Sequence, residues 1–223
     1  MRGESTIIIA VLLVLGASYS VFLYLNNQRA SQLPSVEVRE YQGEKLGSIT
    51  DFRENSIKGP PAINTTTYRL RVTGLVETPR AYTYEQVVLG FEAYEKVVTL
   101  NCVEGWSVKT LWEGVKLTDL LRESGVKGDA KVVIFHAQDG YTSSLPIEFI
   151  ESNDIILAYK MNGVTLPQER GYPFQVVAEI KWGYKWVRWV TEIGVSSDDT
   201  YRGYWESRGY SNDGSIDRSA VER

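Results

Sequence analysis

Apolar positions are spread unevenly along this chain. From Ile7 to Leu25 they run almost without a break, and no charged residue falls between Ser5 and Gln28. A helix over that run is long enough to cross a bilayer, which takes about 20 residues. From Asn26 to about Thr50 the chain is polar and aperiodic, the pattern of a tether. Shorter patterns follow. Tyr68 to Val72 alternates as a strand does, and Lys131 to Phe135 and Trp186 to Val195 are rich in β-branched or aromatic residues. Another strand-like run ends at Asn101-Cys102, with Gly105 breaking the pattern just beyond. Thr83 to Leu89 and Leu117 to Glu123 read as short helices, the second stopped by Gly125. Strands dominate and loops are long, so the expected class is α+β with mixed or antiparallel sheets. The expected division is an anchor over 1–28, a tether over 29–50, one domain over 51–198 and a tail over 199–223. The tail's Ser, Gly, Asp and Arg suit a mobile terminus, but Tyr201 to Ser211 is too aromatic for a simple disordered end.

Composition narrows the chemistry. A net charge of −4 argues against general polyanion binding, nucleic acid included. One cysteine excludes an internal disulfide and an all-protein zinc or iron–sulfur site, and one histidine excludes a multi-histidine metal site. Cys102 is therefore a buried inert thiol, a nucleophile, a redox thiol, or the single protein ligand to a metal held mainly by another group. A thiol-only redox enzyme usually needs a resolving cysteine, which is absent. His136 follows the apolar run Val132 to Phe135, so it is either a satisfied strand-end histidine or an imidazole facing a ligand. No nucleophile-elbow pattern surrounds Ser107, Ser143 or Ser144, and there is no dinucleotide fingerprint or Walker loop.

The flanks of the apolar run say where the domain sits. A cleavable signal peptide is the rival to an anchor, but Ser18-Tyr-Ser20 is a weak cleavage site. Arg2 is offset by Glu4, and Arg29 follows the run, so the positive-inside signal is nearly balanced. The free amino terminus tips it toward a single-pass anchor with the domain on the extracytoplasmic face.

Motifs in the domain then fall into a recognisable order. Val98-Thr-Leu-Asn-Cys-Val-Glu-Gly-Trp-Ser107, followed by Trp112-Glu-Gly-Val-Lys-Leu-Thr-Asp-Leu-Leu121, resembles the core of the sulfite-oxidase-like molybdopterin oxidoreductases. His136-Ala-Gln-Asp-Gly-Tyr-Thr-Ser-Ser-Leu-Pro146 looks like that family's second loop. Gly171-Tyr-Pro-Phe-Gln-Val-Val177 and Lys181-Trp-Gly-Tyr-Lys-Trp-Val-Arg-Trp-Val190 look like its pterin-binding segment. Tyr68-Arg-Leu-Arg-Val-Thr-Gly-Leu-Val76 with Pro79 resembles its opening strand and turn, so the likeness spans about residues 50 to 210.

The resemblance implies a sulfite-oxidase-type molybdopterin-binding fold and a molybdenum–molybdopterin cofactor. It makes Cys102 the catalytic metal ligand, a soft anionic donor suited to such a centre. It implies contacts to the pterin or its tail from Asn55, His136, Arg170, Lys181, Lys185, Trp186, Val187 and Arg188. Without the resemblance, Lys181 to Arg188 reads as a solvated basic edge strand, and Asn55 as an ordinary loop asparagine. Gln175 departs from the family, because many members carry an arginine there; glutamine donates hydrogen bonds but brings no charge. Arg208 is a candidate for meeting an anionic substrate, against a solvated alternative. The implied activity is two-electron oxygen-atom transfer on a small S- or N-oxide or a sulfite-like substrate. Its redox partner would be a haem-bearing membrane subunit or a soluble carrier, since the chain has no haem or cluster motif. The rival from another class is a cofactor-free binding module that keeps the fold, against which the presence of Cys102 argues.

Overall fold

Short alternating strands build two five-stranded sheets. In chain order the elements are β1 (Glu40–Tyr41), β2 (Glu44–Lys45), β3 (Leu70–Gly74), β4 (Arg80–Tyr82), α1 (Tyr84–Gly90), β5 (Tyr94–Asn101) and β6 (Ser107–Lys116). Next come α2 (Leu117–Ser124), β7 (Val132–Ala137), β8 (Thr142–Pro146), α3 (Ile147–Ser152), β9 (Ile156–Met161), β10 (Val164–Thr165), β11 (Gln175–Val177) and β12 (Val190–Ser196). One sheet runs β10–β9–β6–β5, with β11 also on β9, and every pairing in it is antiparallel. The other runs β4–β3–β12–β7–β8 and is mixed, because β12 returns parallel to β3. This is the α+β class with mixed and antiparallel sheets that the sequence predicts.

The computed structural model describes residues 36–222, and the compact unit begins at Glu37. Among the described residues no helix is long and apolar enough to cross a membrane. The predicted anchor, Ile7 to Leu25, lies outside them.

Local chemistry sets the element ends. Thr83 caps α1 in a capping box with Gln86, which satisfies orphan N–H groups at the first turn. Gly125 ends α2 in the left-handed region at φ 68°, where a side chain would be strained. The register shift in β6 falls between Glu113 and Gly114, and a Cβ on Gly114 would sit 2.3 Å from the Leu157 carbonyl. Only glycine lets the two strands approach there. Leu70, Val72, Trp112, Phe135, Leu157, Phe174 and Ile193 are fully buried in one core shared by both sheets. Each such side chain contributes about 1.5–3 kcal/mol through burial.

Three expectations change. The tether does not extend to Thr50: the Glu37 carboxylate accepts from Ile49 N (2.6 Å), Asn162 Nδ2 (2.8 Å) and Ser48 Oγ (2.9 Å), so residues 37–50 fold onto the domain. Polar hydrogen bonding fixes this stretch, and periodicity does not report it. The strand expected from Trp186 begins only at Val190, because Trp189 takes φ 53° and turns the chain. The tail is built into the domain: Tyr204 N donates to the Thr142 carbonyl (2.9 Å), and Glu206 is buried.

Candidate active site

Cys102 sits in the turn joining β5 to β6. Its N–H donates to the Trp106 carbonyl (2.9 Å), and its own carbonyl accepts from Gly105 (3.0 Å), which holds φ 86°. The residue is only 5% exposed, yet it lines an open cleft of about 1040 Å³, mouth included. The 182–189 stretch lies alongside, with Trp182 bridged parallel to Asn101. A Cβ on Gly183 would come within 3.3 Å of the Asn101 carbonyl oxygen and the Leu100 side chain, so a glycine allows this close approach.

Residues 52–57 form a second wall, entered from a short 3-10 helix (Ile49–Asp51) that Ser48 and Asp51 cap reciprocally. From that wall the Asn55 amide donates toward Cys102 Sγ at 3.7 Å. Arg188 Nη2 donates to Asn55 Oδ1 (3.2 Å), while Nη1 bonds Glu54 Oε2 (2.8 Å) and the Glu169 carbonyl (3.1 Å). Arg170, itself buried, reaches the same Glu54 oxygen at 3.8 Å and stacks over Phe52. Two guanidiniums thus share the Glu54 carboxylate, and the lining also carries Arg53 and the carboxylates of Glu104 and Asp139. Burial and the adjacent Arg188 pull Arg170 below the ordinary guanidinium range; it remains charged at neutral pH.

The thiol is poised between opposing influences. Burial pushes the Cys102 pKa up, and the Glu104 carboxylate adds to this; the Glu104 and Val103 backbone N–H groups and Arg53 oppose it. Alone, it is a protonated thiol at neutral pH. A soft cation displaces that proton, because metal binding stabilises the thiolate. Aromatic residues complete the lining: Trp106, Tyr141, Tyr184, Trp186, Trp205 and Tyr210. Tyr141 donates to the Tyr184 carbonyl (2.5 Å), and burial pushes its pKa well up, so it stays a neutral phenol.

Of the residues singled out from sequence, Cys102, Asn55, Arg170, Trp186 and Arg188 line this cleft, and so does Gln175. His136, Lys181, Lys185 and Val187 do not. The His136 imidazole lies by Gly194 of β12, and Val187 is fully buried, its carbonyl accepting from Val176 (2.8 Å). Lys181 bonds Asp213 (2.7 Å) and Ser215 (2.8 Å), and Lys185 bonds Glu206 (2.8 Å). The resemblance places both at the pterin tail; in this structure their ammonium groups bond the closing stretch of the chain. Arg208 stacks on Tyr204 (3.7 Å to the ring centre) and bonds its carbonyl, away from the cleft lining. Sequence reasoning passes over Phe52, Glu54, Trp106, Tyr141 and Tyr184, whereas the aromatic segment Tyr201 to Ser211, which it does single out, supplies Trp205 and Tyr210 to the lining. The signal for Trp205 and Tyr210 was an excess of aromatics in an otherwise polar tail.

Among the described residues no group of three or more His, Cys, Asp or Glu side chains could form a metal cage. What the cleft offers is one buried thiol, an amide directed at it, two guanidiniums converging on one carboxylate and aromatic faces. That donor set fits a metal held chiefly by an organic ligand with an anionic tail.

Comparison with known proteins agrees. The oxidoreductase molybdopterin binding domain matches residues 57–205. YuiH of Bacillus subtilis, an oxidoreductase of uncharacterised role, is 35% identical over 146 residues, covering 65% of this chain and 73% of that protein. YedZ1 of Azospira oryzae, named as a candidate protein-methionine-sulfoxide reductase subunit, is 32% identical over 148 residues, 66% of this chain and 56% of its own length. The NAD(P)H nitrate reductase of Hordeum vulgare is 31% identical over 181 residues, but this chain spans only 20% of it. The crystal structure of the sulfane dehydrogenase SoxCD of Paracoccus pantotrophus superposes with a TM-score of 0.60 at 28% identity, over 63% of this chain and 41% of that one. With Cys102, Arg170 and Arg188 all inside the matched segment, this chain belongs to the oxidoreductase molybdopterin-binding domain family, an enzyme of sulfite-oxidase-type fold whose cofactor is molybdenum–molybdopterin.

Proposed function

We propose that this enzyme reduces a small S- or N-oxide by oxygen-atom transfer at a molybdenum ligated by Cys102. The observation that carries the reading is the buried Cys102 thiol lining an open cleft, with the Asn55 amide directed at its sulfur (3.7 Å). When bound, the molybdenum–molybdopterin supplies two-electron oxygen-atom chemistry that no side chain provides. This chain's residues bind, orient and shield. Cys102 gives a single soft anionic donor, and the Asn55 N–H fixes its direction and tempers its charge. Arg188 holds Asn55 through Oδ1, so the guanidinium orients the amide as well as adding charge. Arg170 and Arg188, with only Glu54 between them, attract the phosphate of the pterin tail. Tyr141 remains protonated and presents a neutral phenol at the wall, not a base.

The overall balance is one oxide, two electrons and two protons giving the reduced compound and water. Relatives named as a methionine-sulfoxide reductase subunit and a nitrate reductase support the reducing direction. The electrons come from a haem-bearing membrane subunit or a small soluble carrier. An anchor over Ile7 to Leu25, with the domain on the extracytoplasmic face, would hold the enzyme beside a membrane donor; the uncharged apolar run supports this.

The test uses the full chain from a host that makes the pterin, beside Cys102→Ser. Molybdenum near one per chain, and oxidation of a reduced viologen dependent on added sulfoxide, are expected for the parent; the variant loses turnover. A folded parent loaded with molybdenum that reduces neither sulfoxides nor N-oxides would overturn the proposed reaction.

A further inference from the structure

We infer that the closing stretch of the chain, Tyr201 to Glu222, is a clamped wall of the cleft that selects substrates bearing an apolar group beside the reacting oxide, with Glu206 as the positioning residue that seats it. This inference rests on the reaction proposed above.

The family match ends at Trp205, so Glu206 and Tyr210 lie beyond it, while Ser143, Lys185 and Arg202, which hold Glu206, lie within it. Glu206 is 1% exposed. Its Oε1 accepts from the buried Lys185 ammonium (2.8 Å) and from Ser143 Oγ (2.5 Å), and Lys185 also donates to the Asn212 carbonyl (2.9 Å). Lys181 holds Asp213 and Ser215 from the same side of the sequence, while Arg202 donates to the Glu206 carbonyl (2.9 Å). A Cβ on Gly203 would come within 2.7 Å of Glu206 Oε2, so the carboxylate has room only against a glycine. Such a pair adds little net stability over a well-packed apolar pair, but removing one partner strands a buried charge. Its consequence here is position.

What is positioned faces the cleft. Trp205 immediately precedes Glu206, and Tyr210 N donates back to the Trp205 carbonyl (3.2 Å). Their rings lie 5.3 Å apart, and Tyr210 packs edge-on to Tyr184 at 5.1 Å. The Tyr184 hydroxyl then bonds the Ser211 carbonyl (2.7 Å), tying the tail to the wall beside Gly183. Trp205 and Tyr210 share the lining with Cys102, and its cations, Arg53, Arg170 and Arg188, all come from elsewhere in the chain. Indole and phenol faces give a compact hydrated oxyanion nothing to bind, but they suit an alkyl or aryl substituent.

The experiment compares methyl phenyl sulfoxide with dimethyl sulfoxide on the full-length holoenzyme. Trp205→Ala and Tyr210→Ala should raise KM for the phenyl compound about tenfold, the cost of losing one good apolar contact, and leave dimethyl sulfoxide within about twofold. Glu206→Ala should give the same split and speed hydrogen–deuterium exchange across 201–222. Pairing Lys185→Met with Glu206→Met should restore both, since an apolar pair refills the site without a stranded charge. That double variant keeps the test open if Glu206→Ala fails to fold. A loaded, active parent whose Trp205 and Tyr210 variants affect both sulfoxides alike, or unchanged tail exchange in Glu206→Ala, overturns the inference. A parent that holds molybdenum but reduces no oxide overturns the reaction proposed above, whereas exchange still reports on the clamp.

Discussion

Replacing Arg188 by alanine tests the site at its most connected point. The guanidinium bonds Glu54, Asn55 and the Glu169 carbonyl, and it stacks over Trp189 with 4.5 Å to the ring centre. Its side chain is 15% exposed and that of Glu54 32%, so the ion pair is partly solvated. Such a pair contributes at most about 1 kcal/mol. The two further hydrogen bonds contribute about 0.5–1 kcal/mol each after the same discount, and the stacking about 0.5 kcal/mol. The sum predicts a loss of about 2–3 kcal/mol, read by urea unfolding of the cofactor-free protein. Lysine at this position keeps one charge but loses the fork, so about half the loss should return. A second readout is specific to the site. Without Arg188 the Asn55 carboxamide is released, its N–H leaves Cys102 Sγ, and the thiol loses a donor that favours its thiolate. The pH midpoint for alkylation of Cys102 by iodoacetamide should therefore move up in Arg188→Ala and in Asn55→Ala alike. An unfolding free energy within about 0.5 kcal/mol of the parent, with an unmoved alkylation midpoint, would refute the reasoning.

Two further predictions concern stability. Burial raises the Cys102 pKa in the folded state, so the cofactor-free protein is favoured while the thiol is protonated in both states. That contribution falls once pH passes the unfolded value of about 8.5 and is lost as pH rises through the folded one. The parent minus Cys102→Ser difference in unfolding free energy, followed from pH 7 to 10, should decline on the alkaline side. Asn162 is fully buried, accepts from Leu111 N (2.9 Å), donates to Glu37 (2.8 Å) and to the Gly47 carbonyl (2.9 Å), and sits at φ 49°. Asn162→Ala should cost about 2–4 kcal/mol, and Asn162→Gly about 1 kcal/mol less, by urea unfolding; equal costs would place the whole effect in the hydrogen bonds.

The sheets were legible in the sequence where a local rule sufficed. The helix over Thr83 to Leu89 is shifted by one residue in the structure, because the capping box at Thr83 and Gln86 marks its start. The stop at Gly125 holds because a left-handed residue is required there. Helix α3, six residues long and following Pro146, carries no side-chain cap and escapes the same reasoning. The parallel return of β12 to β3 was equally hidden, since nothing local specifies which strands pair across the chain.

Charge was the least reliable guide to the cleft, and for a physical reason. Lys181, Lys185 and Arg188 look alike in sequence, three cations in one short stretch beside a glycine. What separates them is the partner that each meets, and the partners lie up to 134 residues away: Asp213 and Glu206 in the tail, Glu54 in the upstream wall. The first two lysines are 5% and 1% exposed, and in such surroundings an ammonium must be neutralised within the protein. Arg188 instead shares its carboxylate with Arg170, and both guanidiniums stay in the cleft lining. The same carboxylates that remove the lysines from the cleft bring the tail to it. Cys102, Arg170 and Arg188 thus lie in the family's matched segment, Asn55 precedes it, and the tail that seats Trp205 and Tyr210 is tied down by residues on both sides of its end.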